Sequence, residues 1–213
     1  KDLEIRGAGN LLGGEQSGHI AGVGFDLYVR LVGEAVAEFR GEQQEERAEV
    51  KIELPVDAHL PHDYVPGERL RLEAYRKIAE AMTDDALDAV REELVDRYGQ
   101  PPEPVEHLLA VARFRVLARR AGLTEVTPQG NHVRFSPVEL PESAQVRLKR
   151  LYPGSIVKPQ VRSVLVPRPK ENRIGGAPLR DAAVLRWASD LVDAVMLASV
   201  SAAATVATGS TTH

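Results

Sequence analysis

Residues 83–109 read TDDALDAVREELVDRYGQPPEPVEHLL, a stretch that holds both ends of one helix and the start of the next. Thr83 is an N-cap, because its hydroxyl can accept from an amide of the first turn that has no helical partner. The acidic pair Asp84 and Asp85 suits the positive end of the helix dipole. Gly99 closes this helix, and PPEP at 101–104 opens another, since proline is tolerated in a first turn. The second helix runs to Gly122. On the other side, Gly67–Met82 forms a third, with Leu70, Tyr75, Ile78 and Ala79 on its apolar side. These three helices are expected to pack as a small bundle.

Working outward, VKIELPVDAHL at 50–60 alternates Val50, Ile52 and Leu54 with charges, as a half-buried strand does. Pro55 places it at an edge or an end. LTEVTPQGNHVRFSP at 123–137 resembles a hairpin turning at QGN. Glu142–Leu151 is a short helix, SIVKP and VRSVLVP are strand candidates, and Leu179–Leu197 is a final helix. Its face includes Val184, Trp187, Ala188, Leu191 and Val195. The fold class is therefore α+β, with helices packed on a small, mainly antiparallel sheet.

The chain divides into four parts. Residues 1–40 hold a glycine-rich loop and a helix at Asp26–Phe39 with one buried face. The charged, aperiodic run 41–49 is a linker, 50–198 a compact domain and 199–213 a low-complexity tail. Lys1 begins the chain without methionine, in a pattern already under way, so a piece of a longer protein is expected. There is no cysteine, which excludes disulfides and thiolate metal sites. No apolar run reaches the ~20 residues of a membrane span, so a cytoplasmic setting without membrane contact is expected. Residues 1–98 hold 22 acidic and 12 basic side chains; residues 99–213 hold 9 and 15. Such asymmetry fits either a nucleic-acid face or a self-complementary contact, though surface variation is its commonest cause.

RGAGNLLGGEQSG at 6–18 has five glycines, yet lacks the lysine and hydroxyl of a phosphate loop. Leu12 stands where the dinucleotide fingerprint needs glycine. What remains is a loop free to change shape, with Arg6 and Gln16 able to contact phosphate or carboxylate. His59 and His62 in DAHLPHD have the only metal-like spacing, but Pro61 forbids a regular helix there. A solvated loop is the plainer reading, with a metal-dependent activity as the alternative. Arg113, Arg115, Arg119 and Arg120 share one helix and offer a second alternative, a DNA-binding module. Glu92, Glu93, Asp96 and Arg97 form an acidic helix end whose bland reading is a solvated face.

KDLEIRGAGNLLGGEQSG at 1–18 resembles the translocation motif that ends the motor core in the transcription-repair coupling factor family. The corresponding segment of the RecG branch-migration helicase is a more distant likeness. ELPVDAHLPHDYVPGERLRLEAYRKIA and EELVDRYGQPPEPVEHLL resemble that family's C-terminal domain, so the likeness extends to about Lys170. It implies part of an ATP-driven double-stranded DNA translocase that displaces stalled RNA polymerase and recruits the excision-repair protein UvrA. Arg6 and Gln16 would then couple nucleotide state to movement along DNA. ATP and magnesium would bind motor lobes outside this stretch, which has no Walker motifs and is expected to hold no cofactor and no catalytic residue. Residues 50–198 would restrain the motor by packing on the N-terminal repair module and masking its UvrA-binding surface. Glu93, Asp96 and Arg97 match the positions assigned to that intramolecular clasp.

Overall fold

A computed structural model of the chain describes residues 50–197. The segment 1–40, the linker 41–49 and the tail 199–213 lie outside the described residues, as do Arg6 and Gln16. In chain order the elements are β1 (Lys51–Ile52), α1 (Glu68–Glu80), α2 (Asp84–Tyr98) and α3 (Glu103–Arg120). Then come β2 (Glu125–Gln129), β3 (His132–Ser136), α4 (Glu142–Leu151) and β4 (Ile156–Lys158). A 3₁₀ turn at Pro159–Val161 leads to β5 (Ser163–Pro167), and α5 (Asp181–Leu191) closes the domain with a π turn at Val192–Leu197.

The strands form one sheet in the order β1-β2-β3-β5-β4. β1 runs parallel to β2, and every other pair is antiparallel. A parallel neighbour requires a crossover, and α1–α3 supply it. The β2–β3 hairpin pairs Gln129 with His132, leaving Gly130 and Asn131 as the two-residue turn; Gly130 has φ +58°, which that turn demands. Alternation then sorts the side chains. Ile52, Val126, Val133, Phe135, Val164 and Val166 enter the core, while Arg134 and Glu125 meet each other on the opposite face.

The caps act as the sequence requires. Thr83 Oγ1 accepts from the Ala86 amide at 3.1 Å, and Gly99 ends α2 with φ +84°, a conformation costly for any side chain with a Cβ. α1, α2 and α3 do pack together, but α3 also lies against α5, so it is the hub of the domain and not simply the third member of a bundle. Its Val105, Leu108, Ala112, Phe114 and Ala118 are sealed from solvent. On α1 the buried positions are Ala74, Tyr75 and Ile78, with Ala79 only half-buried. Trp187 packs near the rings of Phe135 and Tyr152, at centroid distances of 6.1 and 6.4 Å. The final helix differs from regular expectation at its end. Its π turn coincides with a side-chain donor on the helical ladder, Arg147 Nη1 to the Ala194 carbonyl at 2.8 Å.

Candidate functional site

The acidic end of α2 borders a shallow groove between α1 and α2, with Leu70, Ala74 and Leu94 beneath and Lys77, Glu93 and Arg97 on its rim. On α1, Lys77 lies one turn after Ala74, so the buried Ala74 floors the groove while the longer Lys77 reaches its rim. Lys77 Nζ donates to Glu93 Oε1 at 2.6 Å, and Arg97 Nη1 reaches the same oxygen at 3.4 Å. That hydrogen bond from Lys77 holds the Glu93 carboxyl below its ordinary range, and the carboxylate in turn raises Lys77. Arg97 also stacks over the Tyr98 ring, 5.3 Å from its centroid. Asp96 and Glu92 point to solvent, and neither forms an ion pair with a described residue.

Of the three residues assigned to the clasp, Glu93 and Arg97 fall on this rim and Asp96 does not line it, and they are not equivalent. Glu93 is already neutralised within the domain, Arg97 is shared between Glu93 and Tyr98, and Asp96 is open. The platform beneath them is stiff. Tyr98 meets Tyr64 edge-on at 5.8 Å, and the Tyr64 hydroxyl lies 2.9 Å from the Gly99 carbonyl and 3.3 Å from that of Leu94. Burial pushes the Tyr64 phenol up, which keeps it a neutral donor. On its opposite flank α2 is fastened to α3: Arg91 grips Glu106 through two hydrogen bonds of 2.6 and 3.2 Å, and Arg113 pairs with Asp88.

This last pairing changes the reading of the arginines on α3. Arg113 is held by Asp88 and Asp84, and Arg115 is buried to 4 % exposure. Arg119 lies on the Met82 sulfur at 3.0 Å, and only Arg120 is exposed. The four therefore do not form one solvent-facing stripe, because α3 is the hub and most of its circumference is covered. His59 Nδ1 sits 3.0 Å from Asp57 Oδ1, while His62 is exposed. Among the described residues no three histidine or carboxylate groups gather as a metal site would need.

One histidine escaped sequence reasoning. His107 is buried on α3, with Nδ1 2.8 Å from the Asp57 carbonyl, so this nitrogen carries the proton. Asp181 at the start of α5 accepts from the Asp57 amide at 2.8 Å, so the 54–60 arm is held from both sides. Fifty residues separate His107 from Asp57, and no local pattern announces such a pair. Tyr75 is a similar case, since its hydroxyl accepts from the Leu60 amide at 2.8 Å.

Comparison with known proteins agrees with this architecture. Residues 54–148 match the family model of the TRCF domain. The transcription-repair-coupling factors of Mycobacterium tuberculosis (strain CDC 1551 / Oshkosh) and Mycobacterium bovis (strain ATCC BAA-935 / AF2122/97) are each 52 % identical over 207 residues, 92 % of this chain. The chain spans only about 17 % of the length of either. That of Staphylococcus haemolyticus (strain JCSC1435) is 42 % identical over 138 residues, 64 % of this chain and 12 % of the relative. A crystal structure of the C-terminal domain of transcription-repair coupling factor superposes with a TM-score of 0.56 at 19 % identity. That superposition covers 73 % of this chain and 98 % of the other, a likeness of fold.

Proposed function

Since this chain belongs to the transcription-repair coupling factor family, we propose that residues 50–198 are the restraining domain of an ATP-driven double-stranded DNA translocase. The full protein would push RNA polymerase off lesions and recruit UvrA. In this reading residues 1–40 transmit nucleotide state to movement through Arg6 and Gln16, and ATP and magnesium reside in motor lobes beyond this stretch. The rim of the α1–α2 groove is the surface that closes on the N-terminal repair module. One observation carries the proposal: Asp96 is exposed and unneutralised next in sequence to Arg97, whose rim is braced by Lys77, Tyr64 and Tyr98. A mixed rim of this kind selects a partner of complementary charge without binding it tightly. Each exposed pair is worth only about 0.2–1 kcal/mol, so the contact can open.

Lys77 also decides which residues to change. Glu93→Arg would set a third cation beside Lys77 and Arg97 and would disturb the domain itself. Glu92→Arg with Asp96→Arg alters only exposed carboxylates. In the full-length protein this pair should tighten UvrA binding and speed translocation without polymerase, with the domain still folded. Unchanged UvrA affinity and unchanged translocation would show that the rim is merely solvated. A DNA-binding role for α3 is disfavoured, because Arg113 and Arg115 are committed inside the domain.

A further inference from the structure

Between β5 and α5 the chain forms a short two-stranded arm. Lys170 bridges Pro178 in antiparallel register, the Leu179 amide donates to the Pro169 carbonyl at 2.9 Å, and the Glu171 amide donates to the Ala177 carbonyl at 2.9 Å. At the root, the Arg168 amide donates to the Asn131 carbonyl of the β2–β3 turn at 2.9 Å. The tip is fixed as closely. The Arg173 amide donates to the Glu171 carbonyl at 2.8 Å, and the Gly176 amide to the Arg173 carbonyl at 2.9 Å. Gly175 has φ +71°, and a Cβ on Gly176 would collide with the Glu171 carbonyl oxygen, so the bend requires both glycines.

The sides of the arm differ in chemistry. Opposed residues of a ribbon share one side, and the sides alternate along each strand. Pro169 and Leu179 turn inward and are half-buried, with Leu179 packed on the core. Lys170 and Pro178 turn outward, as do Arg168 and Arg180 two residues closer to the root, and all four are exposed. Arg168, Lys170 and Arg180 therefore line one side, and none forms an ion pair with a described residue. At the tip Arg173 pairs with Glu171 at 2.6 Å. That pairing leaves Ile174 as an apolar apex, with a relative exposure of 107 %.

We propose that this arm is a wedge for the minor groove of duplex DNA, with Ile174 entering a base step and Arg168, Lys170 and Arg180 meeting the flanking phosphates. Binding of this kind needs an aliphatic group that partly unstacks one step and cations that hold the backbone beside it. A protein pocket would accept Ile174 but would leave three unpaired cations on the same arm without a use. A plain phosphate contact would use the cations and leave the exposed isoleucine idle. Isoleucine is also stiff at χ1, so little side-chain freedom is lost on insertion. The preferred sites are steps that unstack easily, such as TA, and not a sequence read from base edges. The wedge does not depend on the clasp proposed for the α2 rim, and either can fail without the other.

The test uses the 213-residue chain and a short duplex with 2-aminopurine at a central TA step and a fluorescence donor and acceptor on its two ends. Binding should raise the 2-aminopurine emission and bring the ends together, as a kink of about 20–90° does. Ile174→Ser should abolish both signals while binding persists through the cations. Arg168→Glu with Lys170→Glu should weaken binding at least tenfold and reduce the slope of log K against log salt by about two. Arg120→Glu should change nothing, since Arg120 lies about 20 Å along α3 from His107, the residue beside Asp181. Trp187 emission, read without DNA, reports that each variant is folded. Absence of duplex binding at about 20 mM salt overturns the proposal. So does binding with a flat 2-aminopurine signal, an Ile174→Ser variant that kinks like the parent, or equal loss from Arg120→Glu. Polyglutamate bound as tightly as the duplex would overturn it in favour of an acidic protein surface.

Discussion

The α1–α3 face and the β5 end of the sheet treat their charges in opposite ways. On α2 and the helices beside it Lys77, Arg91, Arg97 and Arg113 are each tied to a carboxylate, and on α2 Glu92 and Asp96 are left exposed with no ion pair to a described residue. Along β5 and its flanks Arg134, Arg162 and Arg173 are paired with Glu125, Glu139 and Glu171, and the exposed Arg168 and Lys170 beyond the strand form no ion pair with a described residue. Both regions mix the two signs in sequence. What distinguishes them is the remainder after internal pairing, and the remainder is what a partner meets. Counting charge along the chain locates the asymmetry. Only packing identifies the side chains that express it.

The comparison assumes that both faces belong to one cooperative body, and the largest expected effect tests that. Phe114 is sealed on α3, which packs against α2 on one flank and α5 on the other. Phe114→Ala should cost about 3–5 kcal/mol. Helix content by circular dichroism and Trp187 emission should fall together in denaturant, because Trp187 reports on the sheet side. Separate midpoints would mean that the faces belong to independent units. Thr83→Ala removes the cap of the acidic helix and should cost about 1 kcal/mol, again with both signals moving together. A loss confined to the dichroism signal would show α2 fraying alone.

The smallest effect concerns the rim. The Lys77 ammonium lowers the Glu93 carboxyl, so its stabilisation is complete above the ordinary carboxylate value, about 4.3. It is lost as pH falls through the lowered folded value. Lys77 is raised, so its share is complete below about 10.4 and is lost as pH rises through the folded value. Glu93→Gln should therefore cost about 0.2–1 kcal/mol near neutrality, toward the low end because the pair is partly exposed. The gap should close in acid. A gap that persists at about pH 2 would mean that Glu93 acts through packing and not through charge.

Much of this fold could be read from local signals. Thr83, Gly99 and the prolines at 101–104 mark helix ends by chemistry that acts within four residues, and the hairpin follows from Gly130 and alternation. The bounds of α4 match expectation residue for residue. Less could be read where the cause lies far along the chain. The π turn involves Arg147 reaching Ala194, 47 residues away, and no periodicity encodes that. The candidate rim was legible as an acidic helix end, but its division into a neutralised Glu93 and an open Asp96 depends on Lys77, sixteen residues earlier on another helix. The α3 arginines were legible only as four cations sharing one helix. Packing divides them, with Arg115 buried, Arg113 paired to Asp88 and Arg120 exposed.

The short strand β4 has a consequence for assembly. It is three residues long and stopped at once by Pro159, with Lys158 on its margin. A short edge, interrupted by proline and marked by lysine, gives an incoming chain little to hydrogen-bond and a charge to bury. This side of the sheet is thus poorly suited to growth by strand addition, from a second copy or from an extended peptide. Whatever meets β4 is left to bind through side chains, and the domain can be crowded against other molecules without this edge seeding aggregation.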